Sequence, residues 1–260
     1  MLYGFLDWPR PVVVAACIVA ALGPALLLTW FVSRLPARWR TGLSSSANSS
    51  TVGTVSLLFG LFAAFLANDI WVRNQIAQQA VIEEGDAIRN LARLSEGQSE
   101  PQRLELRKAL VDYSQVAIQK DWPLMEQGKR SLEVLSRVRT ISNLLVSGPV
   151  GKDAGPVVQT KMLDAFLHMR EKRQVRVILA ENRAFTIKWH AMIMFAVLTQ
   201  LAISIAHIDR PKAMLLAQLV FGVALSTCLA ILILNEFPFS KLNPISSNPL
   251  RTAMESLFRE

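Results

Sequence analysis

The side chains that most often carry catalysis are sparse in this sequence and far apart. The three histidines, His168, His190 and His207, belong to no metal-binding or nucleophile motif, and no glycine-rich phosphate loop is present. Cys17 and Cys228 both lie inside apolar runs, so no cysteine-based metal motif is formed. We therefore expect no catalytic residue, no metal site and no cofactor, and we expect that the chain is not an enzyme.

A short acidic run is the remaining candidate for binding a cation. It consists of Glu83, Glu84 and Asp86. Runs of this kind usually form the solvated face of a helix, and the sequence favours that interpretation here. Cation binding is the alternative.

Charged groups at the ends of apolar segments are better functional candidates, because burying them in a membrane is costly. Asp69 ends one apolar run, and Arg73 follows one helical turn later. This spacing predicts either an i,i+4 ion pair at the membrane interface or the mouth of a pore.

Two further sets of residues lie within the apolar runs. One set could form hydrogen bonds between membrane helices: Gln200, Ser204, Gln218, Ser226 and Thr227. The other is small enough to let helices approach closely: Gly53, Gly60 and Gly222.

Four charge-free runs determine the class of this protein. A bilayer core needs about 20 apolar helical residues, and a charge at the centre of a span costs about 2.5–3.5 kcal/mol. Although 18% of the residues are charged, the sequence contains four intervals of that length without any charge. They predict four transmembrane helices, at 11–33, 52–71, 189–208 and 213–235.

Composition agrees with a membrane protein that also has a large polar part. The chain has 260 residues, 52% of them hydrophobic, and a net charge of +8. The charges are mixed in sign and form no basic patch typical of nucleic-acid binding, so we expect the lipid bilayer as partner, with anionic lipid contacts at the most basic stretch. We divide the chain into 1–72 (spans 1 and 2), 73–187 (a helical domain), 188–236 (spans 3 and 4) and 237–260 (a C-terminal segment).

The polar part of the sequence is also predicted to be helical, so the predicted fold is all-α. The second span has no stop signal, so we predict one helix of about 40 residues with a buried stripe at Ile76, Ala80, Ala87, Leu91 and Leu94. Further segments complete the reading: a polar loop at 41–51, a helix at 101–122 ended by Pro123, a helix at 125–146, a loop at 147–156, a helix at 157–187 and a turn at 207–212. The inner face of 101–122 is predicted at Leu106, Leu110, Tyr113 and Ala117, and that of 125–146 at Leu132, Leu135, Val138 and Leu145.

Lysine and arginine near the span ends indicate the orientation. More of them lie on the side of 73–187 and the two termini, so we expect those parts in the cytosol. The cations on that side are Arg10, Arg73, Arg183, Lys188, Lys241 and Arg251. Those on the other side are Arg34, Arg38, Arg40, Arg210 and Lys212.

Three segments resemble the bestrophin-like membrane proteins of bacteria. They are FGLFAAFLANDIW (59–71) followed by an acidic helix and NLARL (90–94), then Tyr113 with DWP (121–123) and Met125, and finally NEFPFSKLNPISSNPL (235–250). The resemblance covers about 50–260. A more distant similarity to bestrophin channels rests on Gly60, Trp71 and the Asn90-Leu91-Ala92-Arg93 run.

The resemblance implies a pentameric anion channel of the bacterial inner membrane, with a hydrophobic neck formed by the second transmembrane helix. Anchored on Gly60 and Trp71, the neck positions would be Gly53, Leu57 and Leu61, and Asp69 with Arg73 would lie at the cytosolic mouth. The alternative role for the two leucines is packing or lipid contact.

Two other functions remain open. One is a non-conducting scaffold or accessory subunit that docks a partner on its cytosolic helices. The other is a subunit similar to those of ion-driven motors and energisers, which also carry a large cytosolic segment between their second and third spans.

Overall fold

A computed structural model describes residues 8–34, 36, 49–146, 148–181 and 186–259. Every regular element in these ranges is a helix, which confirms the predicted all-α class. The helices are α1 (Arg10–Ser33), α2 (Ser49–Leu94), α3 (Glu100–Val116), a π-helical turn (Ala117–Asp121), α4 (Trp122–Met125), α5 (Leu132–Val146), α6 (Pro149–Glu181), α7 (Thr186–Ala206), α8 (Pro211–Asn235) and α9 (Asn248–Arg259).

Four of these helices are long and apolar enough to cross a membrane, namely α1, α2, α7 and α8. The four predicted spans are confirmed, and the turn predicted between the last two is present where α8 begins at Pro211. Several predicted features lie outside the described residues: Arg38, Arg40, Arg183 and the part of the 41–51 loop before Ser49, where α2 already begins.

Helix α2 is the longest element, with 46 residues, or about 69 Å at 1.5 Å per residue. It contains no proline, so no backbone donor is missing along its length. The prediction of one continuous helix of about 40 residues is confirmed.

The chain forms two compact units, which we call the membrane unit and the helical unit. The membrane unit consists of Met1–Val72 and Ala184–Glu236, and the helical unit consists of Arg73–Arg183 and Phe237–Glu260. The second unit therefore draws on both the polar middle of the sequence and the residues that follow the last span.

In the membrane unit, α1 packs along α8, and one face of α2 packs on α7 and α8. The buried residues of that face are Ala63, Leu66 and Ile70, which contact Met192 on α7 and Leu232 on α8. Small side chains allow the close packing of α1 and α8. A Cβ at Gly222 would lie 2.4 Å from Cδ2 of Leu22.

In the helical unit, one continuous apolar core joins α2, α3, α5, α6 and the C-terminal residues. The predicted inner face of α3 and the π turn is confirmed, since Leu106, Leu110, Tyr113 and Ala117 are all buried. The stripes predicted on the neighbouring helices are confirmed in part, because Ile76 on α2 and Leu132 on α5 are exposed. The inner face of α5 is instead Val134, Val138, Ile141 and Leu145.

The loop predicted at 147–156 is wrong, because α6 already begins at Pro149. Proline is well tolerated in the first turn of a helix, where its missing N–H would have no partner. The breaker residues act later, at Gly155, whose φ of 73° and ψ of 163° kink the helix before Pro156.

Pro123 does not end the helix in which it lies, contrary to prediction. The π-helical turn Ala117–Asp121 precedes it, and α4 carries the chain through Pro123 to Met125. The helix ends at Met125, a turn follows in which Gly128 has a φ of 68°, and α5 begins only at Leu132 rather than at 125.

Candidate functional site

The membrane part of α2 has one face that no other helix among the described residues covers. Leu57 is 72% exposed and Leu61 46% exposed, and they lie away from the packed face of Ala63 and Leu66. A Cβ added at Gly53 would meet nothing within 4 Å, and the same holds for Gly60. No described helix of this chain therefore approaches closely at these two glycines, and of the three predicted glycines Gly222 is the one at which two helices of the chain pack closely.

The structure gives Asp69 a different cation from the one expected. Its carboxylate pairs with Nζ of Lys188 on α7, and both side chains are partly buried. The guanidinium of Arg73 instead donates to the carbonyl oxygen of Leu179 at 3.4 Å. The predicted i,i+4 pair with Arg73 is therefore wrong, because Lys188 on the third span is the cation that pairs with Asp69.

Near the same end of α7, Trp189 donates from Nε1 to Oε1 of Glu236 at 3.1 Å. Asp69, near the middle of α2, and Glu236, directly after α8, therefore each have a partner on α7. This arrangement ties the three helices together through polar contacts at one end of the membrane unit.

Three of the five predicted interhelical polar residues form such contacts. Gln200 donates to the carbonyl oxygen of Ala21 at 2.9 Å, and Gln218 donates to the carbonyl oxygen of Gln200 at 2.7 Å and to Oγ of Ser204 at 2.8 Å. Ser226 and Thr227 donate to Val223 in their own helix, so their predicted role is wrong.

The helical unit holds a completely buried ionic network that the sequence did not reveal. Glu84 on α2 accepts two hydrogen bonds from Arg176 on α6, at 2.8 Å to Oε2 and 3.0 Å to Oε1. Tyr113 on α3 donates to Oε1 of the same carboxylate at 2.6 Å. All three side chains have 0% exposure. Glu84 is therefore not part of a solvated face, contrary to prediction.

A second buried ion pair adjoins the first. Arg173 donates to Asp121 at 2.9 Å and 3.2 Å, and Asp121 also accepts from the backbone N–H of Ser131 at 3.0 Å. Arg176 lies 3.6 Å from Asp121, which links the two pairs. Two carboxylates and two guanidinium groups give a net charge of zero, as burial requires.

The aromatic and sulfur neighbours of the network come from one short segment. Trp122 lies under the guanidinium of Arg176, 4.4 Å from the ring centroid, and Sδ of Met125 accepts from the same group at 3.2 Å. Asp121 and Trp122 of the DWP segment, together with Met125, thus lie next to Arg176 in the core.

Burial and neighbouring charges shift the pKa values of Tyr113 and Arg176 in this network. Burial raises the pKa of Tyr113 well above its usual value, and the neighbouring Glu84 carboxylate raises it further. Burial alone would lower the pKa of Arg176, but the charge and hydrogen bonds of Glu84 outweigh it and raise that pKa. The phenol stays neutral and the guanidinium stays charged.

Glu83, beside the network, belongs to the surface. It accepts from Lys172 at 2.8 Å and lies 3.4 Å from Nε2 of His168. The hydrogen bond from Lys172 lowers the pKa of Glu83, and the same bond raises the pKa of Lys172. Asp86 pairs with Arg89. Each acid of the predicted cluster thus has its own cation.

The described residues contain no group of three or more histidine, cysteine or acidic side chains that could hold a metal ion. His168 is half-exposed on α6, His190 lies near the beginning of α7, and Nδ1 of His207 lies 3.2 Å from the carbonyl oxygen of Ile203.

Comparisons with known proteins agree on the fold. The crystal structure of a bacterial bestrophin homologue from Klebsiella pneumoniae, solved as a point variant, has a TM-score of 0.73 at 12% identity and covers 94% of this chain and 99% of that chain. A membrane protein, also solved as a point variant, has a TM-score of 0.71 at 13% identity, covering 93% of this chain and 97% of that chain. A search of curated protein sequences found no match.

A comparison of the sequence with protein-family profiles identifies the family. A profile described as a bestrophin-like domain matches residues 19–250, which is most of the chain. The matched range covers most of both units and includes all three segments on which the resemblance is based. The chain belongs to the bestrophin-like family.

Proposed function

We propose that this chain forms a homopentameric ion channel, with anions as the conducted species, whose pore is lined by α2. The observation that carries the proposal is the uncovered face of that helix at Gly53, Leu57 and Leu61. In a ring of identical chains, such a face can meet its copies around a central axis. Membership of the bestrophin-like family supports the same reading.

Leu57 and Leu61 form the constriction in this proposal. A ring of leucines at one level of a pore excludes water when the opening is narrow, and conduction then depends on widening it. Gly53 and Gly60 add no side chain on this face, which leaves the two leucines as the bulkiest groups among these four positions.

Asp69 and Arg73 lie at the mouth. The ion pair with Lys188 offsets the negative charge of Asp69, so that this acid does not repel an entering anion. A charge-compensated acid at that position supports anion conduction more than a bare carboxylate would.

The channel would lie in the bacterial inner membrane, with both termini and the helical unit in the cytosol. The distribution of lysine and arginine around the four spans supports this orientation. A tag attached to either terminus should be protected in right-side-out cells and become accessible to a membrane-impermeant reagent only after permeabilisation.

The decisive first measurement is single-particle imaging of the protein purified in detergent. A closed ring of five copies with α2 around an open axis supports the channel. A monomer, or a ring whose axis is filled by another helix, contradicts it.

Flux assays in liposomes test the neck directly. We expect Leu57→Ala and Leu61→Ala to increase chloride flux, because a smaller side chain widens the constriction. Leu216→Ala is the matched control, since Leu216 on α8 is 65% exposed and lies outside the proposed pore. Equal effects of all three substitutions would exclude a neck at α2.

One observation favours the second candidate, a non-conducting scaffold. The surface of 101–146 exposes three large apolar side chains, Leu104 at 54%, Leu132 at 75% and Val146 at 60%. Exposed apolar groups on a polar unit are typical of partner contacts when they form a patch. A scaffold predicts no flux in liposomes from any variant at Leu57 or Leu61.

A further inference from the structure

The Asn90-Leu91-Ala92-Arg93 run has two halves with different environments. Leu91 and Ala92 are buried in the core of the helical unit, whereas Asn90 and Arg93 are exposed. Packing therefore accounts for the apolar half only. The polar half lines a depression of about 390 Å³ between α2 and α6.

The lining of this depression is basic. Arg93 and Asn90 come from α2, while Lys161 and His168 come from α6. No aspartate or glutamate lines it. Cations from two separate helices thus converge on one concave surface, which raises the local concentration of anions.

Two acidic side chains lie near the depression, Glu83 and Asp164, and each is close to a cation. Glu83 accepts from Lys172 and lies 3.4 Å from His168. Asp164 is 3.6 Å from Lys161, but both side chains are more than 60% exposed, and such a pair contributes little. Within the part of the chain that the structure describes, the guanidinium of Arg93 has no ion pair or hydrogen bond.

The rest of the depression is apolar. Ala87, Leu94 and Ala165 line it beside the four polar side chains. A concave site of this size that combines apolar walls with a few converging donors is typical of small-molecule binding.

We propose that this depression binds a small organic phosphate. A guanidinium fork, an amide, an ammonium and an imidazole offer more donors than the two oxygens of a carboxylate can use, and the three terminal oxygens of a phosphate monoester match them better. The apolar wall receives the organic part of the ligand. The site lies wholly within the helical unit and does not depend on whether the chain conducts.

The test is titration calorimetry of the full chain in detergent, with phenyl phosphate as the probe. We expect saturable binding of one phenyl phosphate per chain. Inorganic phosphate, which lacks the apolar part, and benzoate, which has one terminal oxygen fewer, should both bind more weakly. Phenol, which has no charge, should not bind.

Two substitutions remove the donors. Arg93→Gln and Lys161→Gln should each weaken phenyl phosphate binding about tenfold or more, as expected for losing a charge-assisted hydrogen bond. Arg139→Gln on α5 and Lys152→Gln on α6 are matched controls at exposed positions and should leave binding unchanged.

All four substitutions are at exposed positions, so thermal unfolding of each variant should match that of the parent chain. An absence of saturable heat with phenyl phosphate overturns the proposal. Equal weakening by the control variants also overturns it, because this would mean that phosphate adsorbs to the basic surface in general.

Discussion

The hydroxyl of Tyr113 donates a 2.6 Å hydrogen bond to Oε1 of Glu84, and both side chains are completely buried. The two residues are 29 positions apart, on α3 and α2. Their bond therefore fixes the register of one helix against another within the core of the helical unit. Three predictions follow from the network around this bond.

Tyr113→Phe should lower the free energy of unfolding by about 1.5–3 kcal/mol, the usual range for a hydrogen bond to a charged group. The ring stays packed, and Arg176 still donates to the same carboxylate oxygen, so the fold should survive. Denaturation of the full chain in detergent measures the change. Ser114→Ala is the control, because that buried hydroxyl bonds only to Leu110 in its own helix and should cost much less.

Tyr113 should remain un-ionised above pH 10 as long as the protein is folded. The chain has two tyrosines, so a Tyr3→Phe variant makes Tyr113 the only source of tyrosinate absorbance. Because the folded pKa is raised above the ordinary value of 10, the stabilising contribution is complete below that pH and is lost as the pH rises above it. A tyrosinate signal with a midpoint near 10 in the folded protein would contradict this environment.

Arg176→Met should lower the free energy of unfolding by about 3–5 kcal/mol, because it leaves the buried carboxylate of Glu84 without its main partner. Adding Glu84→Gln should recover part of that loss by removing the uncompensated charge. Arg89→Met provides the comparison, since the pair of Arg89 with Asp86 is on the surface and should contribute at most about 1 kcal/mol. If both arginine substitutions lower the free energy of unfolding by a similar amount, the buried network contributes no more to stability than a surface ion pair does.

Gly85→Ala should weaken the attachment of α9 by about 1–3 kcal/mol. A Cβ at position 85 would lie 2.9 Å from the carbonyl oxygen of Pro249, and backbone atoms cannot move aside as a side chain can. Limited proteolysis at the C-terminus and thermal unfolding should both report the change. Gly97→Ala is the matched control, since a Cβ there would meet nothing within 4 Å.

Lys188→Gln should reduce chloride flux severalfold if the proposed pore is correct, because it leaves the negative charge of Asp69 uncompensated at the mouth. Lys188→Arg keeps the charge and should retain most of the flux. Adding Asp69→Asn to Lys188→Gln should restore it. If the Gln and Arg variants lose flux equally, the effect is on structure rather than on charge.

Much of the fold could be predicted because its signals are local. Charge-free runs predicted the four spans, and the absence of proline between Val52 and Leu94, with Gly85 only a weak breaker, predicted the length of α2. The periodic stripe Leu106, Leu110, Tyr113 and Ala117 gave the buried face correctly, since a helix that contributes to a core repeats its apolar residues at that spacing.

The buried network was missed because its partners are distant in sequence. Glu84 and Arg176 are 92 positions apart, and nothing near Glu84 distinguishes it from Glu83, which is on the surface. The partner of Asp69 was missed for the same reason, since Lys188 is 119 positions away. The residues Leu250, Ala253 and Leu257 have the i, i+3, i+7 spacing of a helix face, so the sequence does carry a signal for α9.

The C-terminal residues also bear on how the protein is made. The core of the helical unit includes Leu250, Ala253 and Leu257, and Trp122 donates to the carbonyl oxygen of Ile245. These residues are translated after the last span, so residues 73–183 leave the ribosome long before their core can close. Helices α7 and α8 must therefore be inserted into the membrane while the helical unit is only partly folded. A prematurely terminated chain would expose an open core that quality-control proteases can recognise.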